Sequence, residues 1–296
     1  MSGLVRPSAS ARRGATFISV AGVLWGTTGV VVARLHEGAG LDPVTAGFYR
    51  LAVAAGVLAV VAVRRPWLGA LRRAPLGLAL TGAGLGAYQG LYVVAVADAG
   101  VAVATVVSIG IAPVVTTVAE AVIARRRPDR PAVVAVAAGV LGLGLVVGAP
   151  SSAGERPVVG VLAATASGLG FALTALLVGG VARRVEAAAV TGVSALVGAV
   201  ALAPFAWAAG LGVPARPGPL AGVAYLGVVT TAVAYLLFYT GMRTTAGSVA
   251  AVLTLLEPLV AAVLAGMVLG ERLTPSAIAG GLLLLAAVAV SYRREP

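Results

Sequence analysis

Long hydrophobic blocks alternate with short polar joints along the whole chain. Each block of about twenty residues is long enough to cross a hydrocarbon core of about 30 Å as a helix. The blocks read from the sequence are 15–34, 44–63, 75–97, 101–123, 131–149, 157–181, 187–208, 218–240, 246–269 and 274–292. The pattern predicts an all-α membrane protein with ten transmembrane helices.

Composition excludes the other broad classes of protein. Of the 296 residues, 60% are hydrophobic and only 10% are charged, whereas a soluble domain has about 25% charged residues. A soluble enzyme, a secreted disulfide scaffold and a disordered chain are therefore excluded. The absence of cysteine excludes disulfides, thiolate metal sites and cysteine catalysis.

All 21 basic residues are arginine, and their distribution predicts how the chain crosses the membrane. With a cytoplasmic N-terminus, the outside segments hold only Arg34, Arg156, Arg216 and Arg272, and Arg50 lies within a block. The remaining arginines fall inside, which is the positive-inside bias of membrane proteins. We therefore expect a multi-pass protein of the bacterial plasma membrane, with a retained first helix and both termini in the cytoplasm. Because the arginines lie between blocks, the net charge of +11 predicts no nucleic-acid partner.

The two halves of the chain match at an offset of about 146 residues. Trp25 falls on Phe171, and Pro113 corresponds to Pro258. Five helices per half is an odd number, so the second copy would enter the membrane inverted, as in transporters that work by alternating access. The predicted domains are a tail at 1–14, a first repeat at 15–149, a connecting loop at 150–156, a second repeat at 157–292 and a tail at 293–296.

Three segments resemble signatures of the EamA family of the drug/metabolite transporter superfamily. They are Leu24-Trp25-Gly26-Thr27-Thr28, the run from Leu226 to Tyr235, and the run from Ala251 to Pro258 that continues through Leu269 to Thr274. The resemblance covers nearly the whole chain. It implies a ten-helix, two-repeat exporter of small metabolites around a central cavity.

One position departs from the family pattern. The family commonly ends the fourth and the ninth helix with an acidic residue about thirteen positions after the proline. Glu271 fits in the second half, but the equivalent residue in the first half is Arg126. A role for a symmetric pair of acids is therefore not carried over, and we interpret Glu271 as a helix-end or loop residue.

Three ionisable residues lie within predicted helices, where a charge costs about 2.5–3.5 kcal/mol. Glu257 precedes Pro258 near the middle of the ninth block, and we interpret it either as a proton-coupling or substrate-contacting carboxylate or as a packing residue. Arg50 either holds a substrate carboxylate, with Glu257 as a partner, or extends to the outer interface. Glu120 either takes part in function or, as we expect, reaches the arginines at 125–127.

Two prolines are predicted to kink their helices, because proline cannot donate a backbone hydrogen bond. Pro113 lies in the fourth block and Pro258 in the ninth. Pro258 is expected to leave the carbonyl of Thr254 without a partner. Backbone freed in this way is tolerated at membrane depth where it lines protein or a water-filled cavity.

Polar and aromatic side chains repeat at helical spacing in several blocks, as Tyr88 and Tyr92 do in the third. Such stripes indicate core packing, an interfacial aromatic belt or a shared cavity. The predicted substrate-binding residues are Trp25, Arg50, Tyr88, Gln89, Tyr92, Ser108, Phe171, Thr231, Tyr235, Tyr239 and Glu257. Thr28, Thr116, Ser167 and Thr174 share faces with these side chains or add hydrogen-bonding groups.

No catalytic constellation is found. The single histidine, His36, is placed in an outer loop, no second ligand stands at metal spacing, and Gly192-Val193-Ser194-Ala195-Leu196 lacks the closing glycine of a nucleophile elbow. We expect no enzyme activity, no cofactor and no metal. Glycines spaced by four, such as Gly82, Gly86 and Gly90, indicate close helix packing inside the fold or across a homodimer.

The sequence thus predicts a secondary transporter that exports amino acids or similar small amphipathic metabolites by alternating access. Its partners would be a small-molecule substrate and the lipid bilayer. The first alternative is a carrier of the same superfamily for drugs, nucleosides or sugar phosphates. The second is a membrane scaffold or sensor that transports nothing.

Overall fold

The computed structural model describes residues 9–62, 72–99, 101–147, 156–268 and 275–292, and every regular element in these residues is helical. The elements are α1 (Ala9–Gly26), α2 (Thr28–Ala39), α3 (Pro43–Ala62), α4 (Pro75–Ala99), α5 (Val101–Ile123), α6 (Arg130–Val147), α7 (Pro157–Ala182), α8 (Ala187–Ala209), α9 (Pro217–Gly227), a π-helical segment (Val228–Val233), α10 (Ala234–Gly241), α11 (Gly247–Leu253), α12 (Leu256–Val268) and α13 (Pro275–Tyr292). The all-helical prediction is confirmed. The proposed tails and connecting loop lie largely outside the described residues.

Helices of this protein are long and apolar enough to cross a membrane. By length and composition, five candidate spans occur in the described residues: Ser10–His36, Pro43–Val60, Pro157–Ala182, Ala187–Ala209 and Pro217–Gly241. Shorter apolar stretches are Val107–Ile123, Arg130–Leu145, Gly247–Ala261 and Ile278–Val290. Large apolar side chains such as Trp207 and Met267 are more than three-quarters exposed on the helix surfaces, as expected of side chains that face lipid.

The first hydrophobic block is interrupted at Thr27, between α1 and α2. The Thr27 hydroxyl donates to the carbonyl oxygen of Leu24 at 2.7 Å and lies 3.0 Å from the Tyr225 hydroxyl on α9. A hydroxyl that bonds to the preceding turn competes with the regular helix. This contact joins the break in the first hydrophobic block to the eighth block, which contains Tyr225.

The ninth block is interrupted before its proline. The backbone leaves the helix at Thr254 and Leu255, and α12 restarts at Leu256, so Pro258 lies in a first helical turn, where its missing N–H costs little. The expectation that the Thr254 carbonyl has no partner is wrong. The backbone N–H of Glu257 donates to it at 2.9 Å. Pro113, by contrast, lies inside the uninterrupted helix α5.

The predicted outer joint around His36 is also shifted. α2 continues to Ala39, so His36 is helical and not in a loop. Gly40 ends the helix with a φ of +64°, and its N–H donates to the His36 carbonyl at 2.9 Å. A glycine at this left-handed position is a common helix terminator.

The bundle is built from contacts between the two halves of the chain. α4 packs against α7 and α8, α3 packs against α8 and the π-helical segment, and α1 packs against α10 and α12. α6 packs against α13, and α5 packs against α7 and α11. The largest buried core lies among α1, α3, α4, α7, α8 and α10.

The two ends of the bundle differ in charge. One end holds the start of α1, where Gly14 packs against Thr245 and the backbone of Gly241. The other end holds the start of α7, where Gly160 packs against Asp98 and Ala99. Exposed arginines at or beside the first end are Arg12, Arg13, Arg72, Arg73, Arg125, Arg126, Arg127, Arg130, Arg183, Arg184 and Arg243. Those at the other end are Arg34, Arg156 and Arg216.

Candidate functional site

A group of six aromatic rings occupies the middle of the bundle, and we call it the central aromatic cluster. Its members are Trp25, Tyr88, Phe171, Tyr235, Phe238 and Tyr239. The ring centroids of Trp25 and Tyr235 are 4.8 Å apart, and those of Tyr88 and Phe171 are 5.4 Å apart. These separations are those of favourable aromatic pairs. Helices α1, α4, α7 and α10 thus bring together five residues that the sequence predicted.

A hydrogen bond between two tyrosines joins the halves inside this cluster. The hydroxyls of Tyr88 and Tyr235 are 2.8 Å apart. The side chain of Gln89 lies beside the Tyr235 hydroxyl. The backbone carbonyl of Tyr88 accepts a hydrogen bond of 2.7 Å from Ser167. The predicted Tyr88, Gln89 and Tyr235 therefore form one polar group among the rings.

Arg50 lies on α3 and reaches the π-helical segment. Its Nε donates to the Thr231 hydroxyl at 3.1 Å, and Thr231 in turn donates to the Leu226 carbonyl at 2.8 Å. The guanidinium also interacts electrostatically with Tyr88 and Tyr235. Arg50 is therefore tied to the π-helical segment, about one helical turn before Tyr235 of the central aromatic cluster.

Glu257 lies in the first turn of α12 and is half-buried. It interacts electrostatically with Arg50 and Tyr235. The Arg50 and Glu257 side chains form no ion pair within 4 Å in the described part of the chain. An acid and a base thus face the same region without neutralising each other through direct contact.

Two buried polar atoms on either side of the break between α1 and α2 have no hydrogen-bond partner among the described residues. They are the indole Nε1 of Trp25 and the hydroxyl oxygen of Thr28, one turn further along. Ser194, which lies near Tyr239, has a third such hydroxyl. Unpaired buried polar atoms are costly in a native fold, so each of them calls for an explanation.

Several predicted residues lie apart from the cluster. Tyr92 packs against a separate alanine-rich group on α4, α5 and α7. The Ser108 hydroxyl donates to the Ala164 carbonyl at 3.0 Å, which joins α5 to α7. The hydroxyls of Thr116 and Thr174 bond to carbonyls of their own helices. These side chains support helix packing in this structure.

The expectation for Glu120 is wrong. Its carboxylate reaches no arginine within 4 Å in the described residues, and Oε1 instead accepts a 3.1 Å hydrogen bond from the backbone N–H of Ser248. Ser248 lies in the first turn of α11. Glu120 therefore caps the start of a helix in the other half of the chain, where a negative charge is favoured by the helix dipole.

Sequence reasoning missed three features of this region. Phe238 belongs to the cluster, and its spacing of three from Tyr235 was a usable signal. Asp98, at the end of α4, is buried and forms an ion pair of 3.0 Å with Arg156. Asp98 was overlooked because the third block was ended at residue 97. The π-helical segment had no signal in the hydrophobic pattern.

Glu271 lies outside the described residues.

The fold and these side chains define an all-helical integral membrane protein with a polar and aromatic centre. A model of the EamA-like transporter family matches residues 12–148 and again residues 158–293. The chain therefore belongs to the EamA-like transporter family, which is part of the drug/metabolite transporter superfamily.

Two further similarities agree with this assignment. The uncharacterized transporter YwfM of Bacillus subtilis (strain 168) is 31% identical over 243 residues, which cover 80% of this chain and 79% of YwfM. The fold is also similar to that of a solved structure described as "Crystal structure of protein". The TM-score is 0.76 at 21% identity, over 93% of this chain and 95% of that one. At that identity the likeness shows the fold alone.

Proposed function

We propose that this protein is a secondary transporter that exports amino acids or similar small amphipathic metabolites across the bacterial plasma membrane. In this proposal two five-helix halves of opposite orientation alternately expose the centre of the bundle to either side. The proposal includes no catalytic step and no cofactor. A homodimer stays a prediction.

Matching contacts in the two halves support the inverted repeat. A Cβ built on Gly22 would lie 3.4 Å from the carbonyl oxygen of Leu253, and one on Gly168 would lie 2.5 Å from that of Ser108. The two glycines are 146 residues apart and the two carbonyls 145 apart. The same close approach of backbones therefore recurs where each half meets the other.

The distribution of charge supports the orientation. The end of the bundle that holds the start of α1 carries most of the exposed arginines, and the opposite end carries few. Since arginine-rich loops stay in the cytoplasm, we place the start of α1 inside. Gly14 and its counterpart Gly160 then lie on opposite sides of the membrane, as an inverted repeat requires.

The observation that carries the choice of substrate is the pair of Arg50 and Glu257 beside the central aromatic cluster. A zwitterionic amino acid offers a carboxylate to Arg50 and an ammonium to Glu257, and its apolar side chain suits the rings. Arg50 is the one arginine within a predicted span, which favours a single carboxylate over the dianionic phosphate of a sugar phosphate.

Glu257 is the proposed site of proton coupling. A carboxylate that binds either a proton or a substrate ammonium links the two events at one site. Proton movement into the cell would then accompany export of the solute. The substrate gradient alone is the competing driving force.

Efflux from liposomes tests the proposal. Purified protein is reconstituted, the vesicles are loaded with a mixed panel of amino acids and nucleosides, and the loss of each solute is measured with and without a pH gradient. Glu257→Gln is compared with the wild type. Glu186→Gln, which changes an exposed carboxylate just before α8, is the matched control.

We expect selective loss of amino acids from wild-type vesicles. The pH gradient should accelerate efflux by the wild type and by Glu186→Gln, and should have no effect on Glu257→Gln. Loss of nucleosides instead would favour the other carriers of the superfamily. Loss of no solute by correctly folded protein would favour a scaffold or sensor.

A further inference from the structure

The second half of the chain contains extra backbone next to the central aromatic cluster. Gly82 and Tyr88 are six residues apart in the continuous helix α4. Their counterparts Gly227 and Tyr235 are eight residues apart, and the π-helical segment Val228–Val233 lies between them. A π-helical turn accommodates inserted residues within a helix and is frequent at functional sites.

Contacts as well as spacing support the pairing of Gly82 with Gly227. A Cβ built on Gly82 would lie 2.6 Å from the Cβ of Val197 on α8. A Cβ built on Gly227 would similarly overlap the side chain of Val53 on α3, and would lie 3.4 Å from the carbonyl oxygen of Arg50. Each glycine thus marks a close helix crossing, and the crossing at Gly227 brings the π-helical segment next to Arg50.

The π-helical segment presents two buried threonines. Thr230 and Thr231 both donate to the Leu226 carbonyl at 2.8 Å, four and five positions back along the chain. Thr231 alone also accepts the 3.1 Å hydrogen bond from Arg50 Nε. The Thr231 hydroxyl therefore donates one hydrogen bond and accepts another. Together the two bonds fix the orientation of this hydroxyl.

This bond determines which atoms of Arg50 remain available. Nε is engaged by Thr231, while the two terminal nitrogens make no hydrogen bond with any described residue. A guanidinium carries five N–H donors in a rigid plane, so holding Nε orients the terminal pair. Thr231 lies about one helical turn before Tyr235 of the central aromatic cluster, so the bond holds the guanidinium near that cluster.

We propose that Thr231 is a positioning residue that holds Arg50 through Nε, so that both terminal nitrogens bind one carboxylate of the solute. The π-helical segment brings this threonine into place, and the site consequently selects solutes with a free carboxylate over analogues in which an uncharged amide group replaces that carboxylate. This inference rests on the proposed function and deepens it. Thr231 acts through Arg50 and does not itself bind the solute.

Three substitutions separate positioning from structural support. Thr231→Val removes the hydroxyl at nearly constant volume, Thr231→Ser keeps it, and Thr230→Val removes the other hydroxyl bonded to the Leu226 carbonyl. Each protein is reconstituted in liposomes. Transport kinetics are measured for the standard amino acid that the wild type moves fastest, and the corresponding amino acid amide is used as a competitor.

Loss of one hydrogen bond to a charged group predicts an increase in KM of about tenfold for Thr231→Val, with kcat within about twofold of the wild type. The preference for the amino acid over its amide should fall by a similar factor. Thr231→Ser and Thr230→Val should keep the wild-type KM and preference. A purely structural role would change kcat and stability in both valine variants and leave the preference unchanged.

Two results would overturn the inference, and they are distinguishable. If the wild type transports amino acids and Thr231→Val keeps the wild-type KM and preference, the positioning role is wrong and the proposed function stands. If the folded wild type moves no amino acid, the proposed function fails and the inference fails with it.

Discussion

The Tyr88–Tyr235 hydrogen bond is a contact between equivalent residues of the two halves, which lie 147 positions apart. Because one hydroxyl donates and the other accepts, removal of either leaves the other without this partner. A buried unpaired hydroxyl costs about 1–3 kcal/mol, whereas removal of both partners is nearly neutral by comparison. The two residues should therefore behave as a coupled unit.

We predict that Tyr88→Phe and Tyr235→Phe each lower the free energy of unfolding by about 1 kcal/mol, and that the double variant loses less than the sum. Thermal unfolding of the purified protein in detergent measures this. Tyr49→Phe, which removes a hydroxyl bonded to the Leu211 carbonyl, serves as the control, because its loss should add to that of either cluster variant. Fully additive losses would show that the two hydroxyls do not interact.

Glu120 is a second residue whose role depends on the other half of the chain. Its carboxylate accepts a hydrogen bond from the first turn of α11. We predict that Glu120→Ala lowers the free energy of unfolding by about 0.5–2 kcal/mol, and that Glu120→Gln, which keeps an acceptor oxygen, loses less. Equal losses in the two variants would instead indicate that the negative charge alone matters.

At the scale of helices, close packing depends on particular glycines. A Cβ on Gly26 would lie 2.6 Å from the Val260 side chain and 2.7 Å from the Glu257 carbonyl oxygen, whereas one on Gly29 would meet nothing within 4 Å. The end of α1 therefore packs directly against the start of α12, where Glu257 lies.

We predict that Gly26→Ala destabilises the protein by about 1–3 kcal/mol, because the added methyl group overpacks this contact. It should also reduce efflux, since it displaces the turn that holds Glu257. Gly29→Ala, three residues away, should retain the stability and the efflux of the wild type. A Gly26→Ala protein with wild-type behaviour would show that α1 and α12 separate here without cost.

The Asp98–Arg156 ion pair links the end of α4 to the start of α7. The Asp98 side chain is buried, and the Arg156 side chain is largely exposed. We predict that Arg156→Gln lowers the free energy of unfolding by about 1–3 kcal/mol, because it leaves a buried carboxylate without its charged partner. Arg216→Gln, at the same end of the bundle, should have little effect. Similar unfolding temperatures for both variants would contradict a stabilising role for the pair.

Helix positions were predictable from sequence, but most of their interruptions were not. The blocks at 75–97 and 101–123 became α4 and α5 with nearly the predicted bounds, because hydrophobic length alone defines a membrane helix. The break at Thr27 involves Tyr225, which lies 198 residues away. The π-helical segment likewise lies at contacts between helices, which the pattern within one block does not contain. The interruption of the ninth block did have a signal, because Pro258 lies two residues after the restart at Leu256.

The site was predictable to a similar extent. The repeat offset pointed to Trp25, Phe171, Tyr88 and Tyr235, and their rings meet in one cluster, while their role in substrate binding stays a prediction. Ser108 was equally polar in the sequence but donates to the Ala164 carbonyl instead. Which face of a helix a hydroxyl occupies depends on helix rotation in the bundle, and spacing along one chain does not determine that rotation.

For the whole molecule, the proposal requires a centre that opens to each side in turn. At one end of the bundle the start of α1 packs against the end of α10, and at the other end the start of α7 packs against the end of α4. Gly14 and Gly160 lie at these two contacts, at equivalent positions of the halves. Opening at one end therefore requires rearrangement of one contact while its counterpart stays closed.

Access to the centre from both sides of the membrane tests this claim most directly. The natural chain has no cysteine, so Thr28→Cys introduces a single thiol three residues after Trp25 of the central aromatic cluster, at a side chain whose hydroxyl is buried. Membrane-impermeant maleimide is applied to right-side-out and to inside-out vesicles. Arg184→Cys, at the proposed cytoplasmic end, and Val118→Cys, on the exposed surface of α5, are the controls.

We predict that Thr28→Cys is labelled in both kinds of vesicle, and that the transported amino acid slows labelling in each. Arg184→Cys should be labelled only in inside-out vesicles, and Val118→Cys in neither. Labelling of Thr28→Cys from one side only, with the controls behaving as expected, would contradict alternating access to this centre.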